Sequence, residues 1–149
     1  MPLKTNGGFL IGKIKLIQGR VFEKMLSEYG ISEFNGAQGR ILFVLWEKDD
    51  IPITELSEKT GLAKTTLTGM LDRLELSGHI SRNYGQKDRR TVKIKLTEKS
   101  RSLREKYEAV SEEMNKVFYR GFSKDEILDF ENRLGKILEN LAEKEKGHG

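Results

Sequence analysis

The sequence predicts a mainly α-helical protein with one small β-hairpin, in which two short central helices and the hairpin are flanked by longer helices. Apolar residues recur at intervals of three and four over much of the 149-residue chain, which is the spacing of one face of a helix. Gly61 separates two short segments of this kind. After them, residues 79–84 and 91–97 alternate between apolar and polar, as paired strands do.

Length and composition indicate one soluble domain, residues 1–149, with no membrane partner. Hydrophobic residues make up 36% of the chain and charged residues 34%, and the apolar runs are too short to cross a bilayer. The amino terminus lacks the apolar segment of a secretory signal. With no cysteine, disulfides and thiolate catalysis are excluded. A cytoplasmic location is expected.

The two central helices have the pattern of a helix-turn-helix. Leu56 is placed to face inward, Ser57 is small where a second helix crosses, and Gly61 supplies the turn. The second helix has one apolar face, formed by Leu67, Met70, Leu71 and Leu74. Its other face is short, polar and positively biased, which suits contact with DNA: threonines are expected at base edges and the basic residues at phosphates. That face carries Lys64, Thr65, Thr66, Thr68 and Arg73.

The positive charge of the chain is concentrated in this same region. Residues 61–100 contain nine Lys or Arg against four Asp or Glu, a net charge of +5. Since the whole chain carries +4, the remainder sums to −1. A local excess of this kind is the electrostatic footprint of a phosphate-binding face, although a solvated basic surface would have the same composition.

The alternating segments predict a β-hairpin, or wing, placed directly after the second helix. Gly78 ends that helix, and Ile80, Val92, Ile94 and Leu96 form the apolar side of the strands. The turn between the strands, residues 85–90, is polar and basic. A tip of this kind reaches a neighbouring groove of DNA, and an arginine there suits a narrow minor groove.

The wing resembles a known family. Residues 88–97, DRRTVKIKLT, match the D-x-R-x-x-x-(I/V)-x-L-T pattern of MarR-type transcriptional regulators, and residues 71–75, LDRLE, match their recognition helix. The resemblance implies that Arg90 enters the minor groove and that Asp88 orients it. It also implies phosphate contacts from Arg82, Lys87 and Arg89. Asp88 and Arg73 have an alternative role, which is to hold the wing in place. Gly69 and Ala63 depart from the family pattern, which has a larger side chain and a capping serine there.

The two ends of the chain predict a homodimer. Residues 7–28 and 98–146 supply three apolar helical stripes, more than a winged helix-turn-helix at residues 36–97 can cover. In the family that the chain resembles, these helices join two subunits; a self-contained helical subdomain is the alternative. The expected interface residues are Leu10, Ile14, Ile17, Val21, Val117, Phe130, Leu134, Ile137 and Leu141.

The resemblance also implies a small aromatic or phenolic effector, bound between the dimer helices and the DNA-binding part. Phe22, Phe43, Trp46 and Tyr107 are candidates for lining such a cleft, and a role as ordinary core residues is the alternative.

The sequence therefore predicts a regulator that binds double-stranded DNA as a homodimer on an inverted repeat, with repression the expected direction. The alternative is a winged-helix protein-interaction module without a DNA target. Because the motifs of catalytic and metal sites are missing from the sequence, no catalytic residue, metal or cofactor is expected, and an enzyme is the least favoured class.

Overall fold

A computed structural model describes residues 2–32, 36–85 and 91–147. The fold is mainly α-helical with one small antiparallel sheet, as the sequence predicts. In chain order the elements are α1 Gly7–Glu28, α2 Gly36–Glu47, β1 Ile51–Pro52, α3 Ile53–Thr60, α4 Lys64–Leu76, β2 Ile80–Tyr84, β3 Val92–Leu96, α5 Glu98–Arg101, α6 Arg104–Phe118 and α7 Lys124–Gly147.

The chain divides into two compact units, residues 1–111 and 112–149, with the boundary inside α6. The first unit contains α1 to α5, the sheet and the start of α6, and it holds the main hydrophobic core. That core takes side chains from every helix of the unit except α5, and from all three strands. Its fully buried members include Leu26, Ile41, Leu42, Leu45, Ile51, Leu56, Leu67, Leu71, Leu74, Ile94 and Val110.

The sheet has the order β1-β3-β2, and both pairings are antiparallel. β1 pairs Ile51 with Ile94 and Pro52 with Lys93. Pro52 has no N–H, and at the edge of a sheet the missing donor costs no ladder hydrogen bond. The pattern of residues 51–53 predicts an extended piece at the edge of the wing. Ile51 and Pro52 form this edge strand, whereas Ile53 begins α3.

One helix expected from the sequence is two helices. The pattern after the hairpin predicts a continuous helix from Thr97, whereas α5 ends at Arg101 and α6 begins at Arg104. The carbonyl of buried Ser100 accepts hydrogen bonds from the Trp46 indole Nε1–H (3.1 Å) and from the N–H of Leu103 (3.1 Å), which closes a tighter turn. A contact from a residue 54 positions away, which no local pattern encodes, interrupts the helix.

The second unit is built on the turn between α6 and α7. Gly121 has φ +87° in this turn, a left-handed conformation that glycine adopts at low cost. A serine and a glutamate three residues apart, Ser123 and Glu126, predict a capping box at the start of the last helix. The structure confirms it: the N–H of Glu126 donates to Ser123 Oγ (3.1 Å), and the N–H of Ser123 donates to Glu126 Oε1 (2.8 Å). Phe130 packs against Tyr119 and Phe122, with ring centroids 6.2 and 6.4 Å apart.

Each unit leaves an apolar helix face exposed within the single chain. On α1, Leu10, Ile14 and Ile17 are exposed while Leu26 is buried, so only the carboxyl-terminal part of the helix packs on the core. On α7, Ile137 and Leu141 are exposed, and none of the described residues of α7 is fully buried. These faces coincide with stripes that the sequence assigns to a dimer interface.

Candidate nucleic-acid interface

The turn between α3 and α4 is fixed by side-chain hydrogen bonds. Gly61 has φ +76° and ends α3 in the left-handed region. Ser57 Oγ donates to the carbonyl of Leu62 (2.7 Å). Thr60 Oγ1 donates to the carbonyl of Leu56 (2.7 Å) and accepts from the N–H of Leu62 (3.2 Å). Because these bonds join both sides of the turn, they fix the direction in which α4 leaves α3.

Helix α4 buries one face and presents the other to solvent. Leu67, Leu71 and Leu74 are buried. The hydroxyl of Thr68 donates to the carbonyl of Lys64 (2.8 Å), which leaves the oxygen lone pairs and the methyl group outward. Ala63 is the N-cap, and no side-chain hydrogen bond caps the helix there. All the residues that the sequence assigns to the outward face of this helix are exposed: Lys64, Thr65, Thr66, Thr68 and Arg73.

The hairpin β2–β3 presents two faces of different character. Ile94 and Leu96 are buried, while Lys93 and Lys95 alternate with them and are exposed. These two lysines contribute to the local positive charge and were not singled out by the sequence motifs. The sequence also predicts contacts from Lys87, Asp88, Arg89 and Arg90, and these four lie outside the described residues.

Arg82 has a different environment from the other expected DNA contacts. It is paired with Ile94 in the strand register and lies on the side of the hairpin that faces α4. Its side chain is only 17% exposed, and its guanidinium lies 2.8 Å from Asp72 Oδ1 and 3.5 Å from Glu75 Oε1. The two-residue period of a strand could have predicted the low exposure of Arg82, because this residue is two positions after buried Ile80 and therefore shares its face.

Thr97, the last residue of the wing motif, ties the hairpin to the helices on both sides. Its hydroxyl donates to the carbonyl of Gly78 (2.6 Å) and accepts from the N–H of Ser100 (3.4 Å), which makes it the N-cap of α5. Leu96, one position earlier, is buried. The end of the motif therefore has a structural role, since it anchors the hairpin at its base.

Asp49 makes a second connection between the wing and α5. Its Oδ1 accepts from the backbone N–H of Leu96 (2.9 Å) and of Asp50 (2.8 Å), and its Oδ2 lies 2.8 Å from Arg101 Nη2. Partial burial tends to raise the pKa of Asp49, but the hydrogen bonds from Arg101, Leu96 and Asp50 outweigh that effect and lower the pKa below its usual value.

Three of the four aromatic residues proposed for a ligand cleft pack against one another in the first unit. The Tyr107 ring lies 5.5 Å from Phe22, edge to face, and 5.1 Å from Trp46. Trp46 and Tyr107 are buried, and burial raises the pKa of the Tyr107 hydroxyl to about 12. Phe43 is exposed. The phenol of Tyr107 is neutral at physiological pH and belongs to the core.

Neither a metal site nor a membrane span is found in the described parts of the chain. Over residues 2–32, 36–85 and 91–147, no three His, Cys, Asp or Glu side chains are grouped so that they can bind a metal ion. Within the same ranges, no helix combines the length and the apolar character that crossing a bilayer requires.

Helices α3 and α4, their short turn and the hairpin packed on α4 define a winged helix-turn-helix protein. In this class the second helix of the pair reads the major groove of DNA. On α4, the exposed face carries threonines and basic residues.

The sequence model described as "MarR family" matches residues 34–92. The HTH-type transcriptional regulator TtmR of Methylorubrum extorquens (strain PA1) is 36% identical over 92 residues, which is 62% of this chain and 46% of that protein. The chain thus spans about half the length of this relative. The HTH-type transcriptional repressor YetL of Bacillus subtilis (strain 168) is 28% identical over 124 residues, or 82% of this chain and 72% of that protein.

Among solved structures, the chain is similar to a mutant MarR from E. coli complexed with operator DNA. The two share 26% identity and a TM-score of 0.79, and the match covers 88% of this chain and 92% of that one. The winged helix-turn-helix part of this chain, residues 34–92, thus matches the MarR family by sequence, and the fold resembles that of a MarR protein. Both relatives named above are HTH-type transcriptional regulators, and members of the MarR family are regulators rather than enzymes.

Proposed function

We propose that the chain is a sequence-specific repressor that binds an inverted-repeat operator as a homodimer in the cytoplasm. The observation that carries this proposal is the outward face of α4. Lys64, Thr65, Thr66, Thr68 and Arg73 are all exposed there, while the opposite face is buried in the core. Threonine hydroxyl and methyl groups suit base edges, and Lys64 and Arg73 suit phosphates. YetL is a transcriptional repressor, and the E. coli MarR structure is a complex with operator DNA, which supports the same assignment.

The exposed apolar faces of α1 and α7 support the homodimer. A monomer would leave Leu10, Ile14, Ile17, Ile137 and Leu141 in water, and burial against a second copy removes that cost. In a two-fold dimer the recognition helices contact half-sites about one turn of DNA apart, roughly 34–36 Å. The operator is therefore expected to be an inverted repeat.

A small aromatic or phenolic effector completes the proposal. The rings of Phe22, Trp46 and Tyr107 supply the contact surface that such a ligand prefers. Because Trp46 and Tyr107 are buried, an effector that contacts them has to separate packed rings. Ligand binding would then change the core beneath the wing and release the DNA.

DNA binding is tested by mobility shift against random-sequence duplex at low and moderate salt. A salt-sensitive shift is expected, because phosphate contacts release counterions. Absence of a shift at every salt concentration would reject the proposal and favour a winged-helix protein-interaction module.

Arg90→Ala tests the wing contact. If Arg90 enters the minor groove, the variant binds a selected operator more weakly, loses preference for A·T flanks, and has a shallower salt dependence. Each lost phosphate contact lowers the log–log slope by about 0.9, and the dimer has two wings. Asp88→Ala should show a smaller defect of the same kind. Lys146→Ala, in the last turn of α7, removes the same charge and should bind like the parent. Tight binding by folded Arg90→Ala would exclude the wing as a contact.

A further inference from the structure

A side-chain bridge joins the hairpin to the recognition helix. Arg82 lies on β2, and among the described residues the three groups that its guanidinium meets lie on α4. Nη2 is 2.8 Å from Asp72 Oδ1 and 3.4 Å from the carbonyl oxygen of Thr68, and Nη1 is 3.5 Å from Glu75 Oε1. One planar fork therefore spans two turns of the helix.

The bridge lies on the helix face that is expected to read bases. Residues 65, 68, 72 and 75 follow each other at intervals of three and four, so they form one stripe along α4. The amino-terminal half of the stripe carries Thr65 and Thr68, and the other half carries the two carboxylates that meet Arg82. The hairpin is thus attached to the continuation of the same face.

Geometry and burial distinguish this bridge from an ordinary surface ion pair. The Arg82 side chain is 17% exposed, whereas the arginines of the pairs Arg101–Asp49, Arg104–Glu108 and Arg133–Asp129 are 45–76% exposed. A partly desolvated, multiply bonded guanidinium contributes more than an exposed pair does. A direct phosphate contact would require Arg82 to leave two carboxylates uncompensated on a helix that approaches DNA.

We propose that Arg82 is a positioning residue for DNA binding, which fixes the hairpin relative to Thr65 and Thr68 through Asp72 and Glu75 and does not itself contact DNA. This inference rests on the proposed function, since it concerns how the same surface is held in register with the operator.

The direction in which one substitution changes DNA affinity distinguishes a positioning role of Arg82 from a direct DNA contact. Asp72→Ala removes a negative charge from α4. If Arg82 contacts phosphate, the variant binds DNA as tightly as the parent or more tightly, because repulsion is relieved. If Arg82 positions the hairpin through Asp72, Asp72→Ala weakens binding, as Arg82→Gln does, by roughly fivefold to thirtyfold. The probe is a duplex selected from a random pool by the parent protein, titrated by fluorescence anisotropy over a range of salt.

A double-mutant cycle and a conservative variant sharpen the test. Residues that act through one bridge are non-additive, so Arg82→Gln with Asp72→Ala should bind no more weakly than the worse single variant. The two single variants should also share one salt slope. Arg82→Lys keeps the charge but not the planar fork, so it should bind nearly as weakly as Arg82→Gln. Glu112→Ala, on α6, is the control for loss of a carboxylate.

The outcomes are separable. If the parent binds no duplex, the proposed function and this inference both fail. If the parent binds but Asp72→Ala binds at least as tightly, only the positioning role is overturned. Three other results would overturn the positioning role as well. They are losses of DNA affinity that add up in the double variant, a salt dependence of binding that becomes shallower only in Arg82→Gln, and parent-like DNA binding by Arg82→Lys. Circular dichroism checks folding; should Arg82→Gln fail to fold, Asp72→Ala and Arg82→Lys still decide the question.

Discussion

At the scale of single residues, two helical glycines have opposite environments. A Cβ built on Gly69, in α4, meets no heavy atom within 4 Å apart from its chain neighbours and the backbone of its own helix, whereas one built on Gly39, in α2, lies 2.7 Å from the Tyr107 ring. Gly69 is thus an unfilled position on the recognition helix. Gly39 allows a close approach between α2 and α6 that a side chain would prevent. The sequence pattern alone does not separate the two, since both occur at helical positions.

These environments predict opposite effects of the same substitution. Gly69→Ala should raise the free energy of unfolding by about 0.5–1 kcal/mol, because alanine loses less backbone entropy in a helix. Gly39→Ala should lower it by about 1–3 kcal/mol, because the buried Tyr107 ring has to move. Urea denaturation followed by circular dichroism measures both. Equal shifts of the same sign in the two variants would contradict the packing described for Gly39.

At the scale of elements, periodicity predicted most of the fold. The turn glycine, the buried stripe of α4, the strands and the capping box before α7 follow from residues close together in sequence, so local patterns locate them. The interruption between α5 and α6 comes from a hydrogen bond between Trp46 and Ser100, and sequence spacing does not record such a contact. The candidate DNA-binding site likewise has a part that local sequence predicts and a part that it does not. The exposed face of α4 follows from the helical period, whereas the pairing of Arg82 depends on which element covers the hairpin.

The Asp49 connection between the α2–β1 segment, β3 and α5 predicts a pH-dependent stability. Because the pKa of Asp49 is lowered in the folded state, its contribution is present above the ordinary aspartate pKa. That contribution is lost as the pH falls through the lowered value. Asp49→Asn should lower the free energy of unfolding by about 1–3 kcal/mol at neutral pH. In acid the free energies of unfolding of the variant and the parent should become more similar.

Chemical denaturation at pH 7 and at several values below 4 provides the measurement for Asp49. Asp129→Asn is a suitable control, since Asp129 forms an exposed ion pair with Arg133 on α7 and exposed pairs contribute little. If the difference in free energy of unfolding between Asp49→Asn and the parent stays constant with pH, the charge of Asp49 is not the source of its stabilising effect.

At the scale of the whole molecule, the exposed apolar face of α1 predicts the oligomeric state. Light scattering should give roughly twice the 17.1 kDa mass of one chain. Ile17→Glu should reduce the mass to that of the monomer, because a carboxylate would be buried in the interface. Ile17 is exposed in the single chain, so the substitution should leave the fold of that chain intact.

Lys15→Glu places the same side chain on another face of α1 and should leave the mass unchanged. A parent that already has the mass of one chain would exclude the homodimer, and an unchanged mass in Ile17→Glu would exclude this face of α1 from the interface.

The hydrogen bond from Trp46 to Ser100 has a practical consequence. The chain has a single tryptophan, and its indole is buried against Tyr107 with its N–H bonded to the carbonyl that ends α5. The emission of this indole therefore reports on one place, the junction of α2 with α5 and α6, without any attached dye. If an effector separates the rings there, the emission maximum moves to longer wavelength as the indole meets water. A DNA duplex that binds only at α4 and the wing should leave the wavelength of the emission maximum almost unchanged.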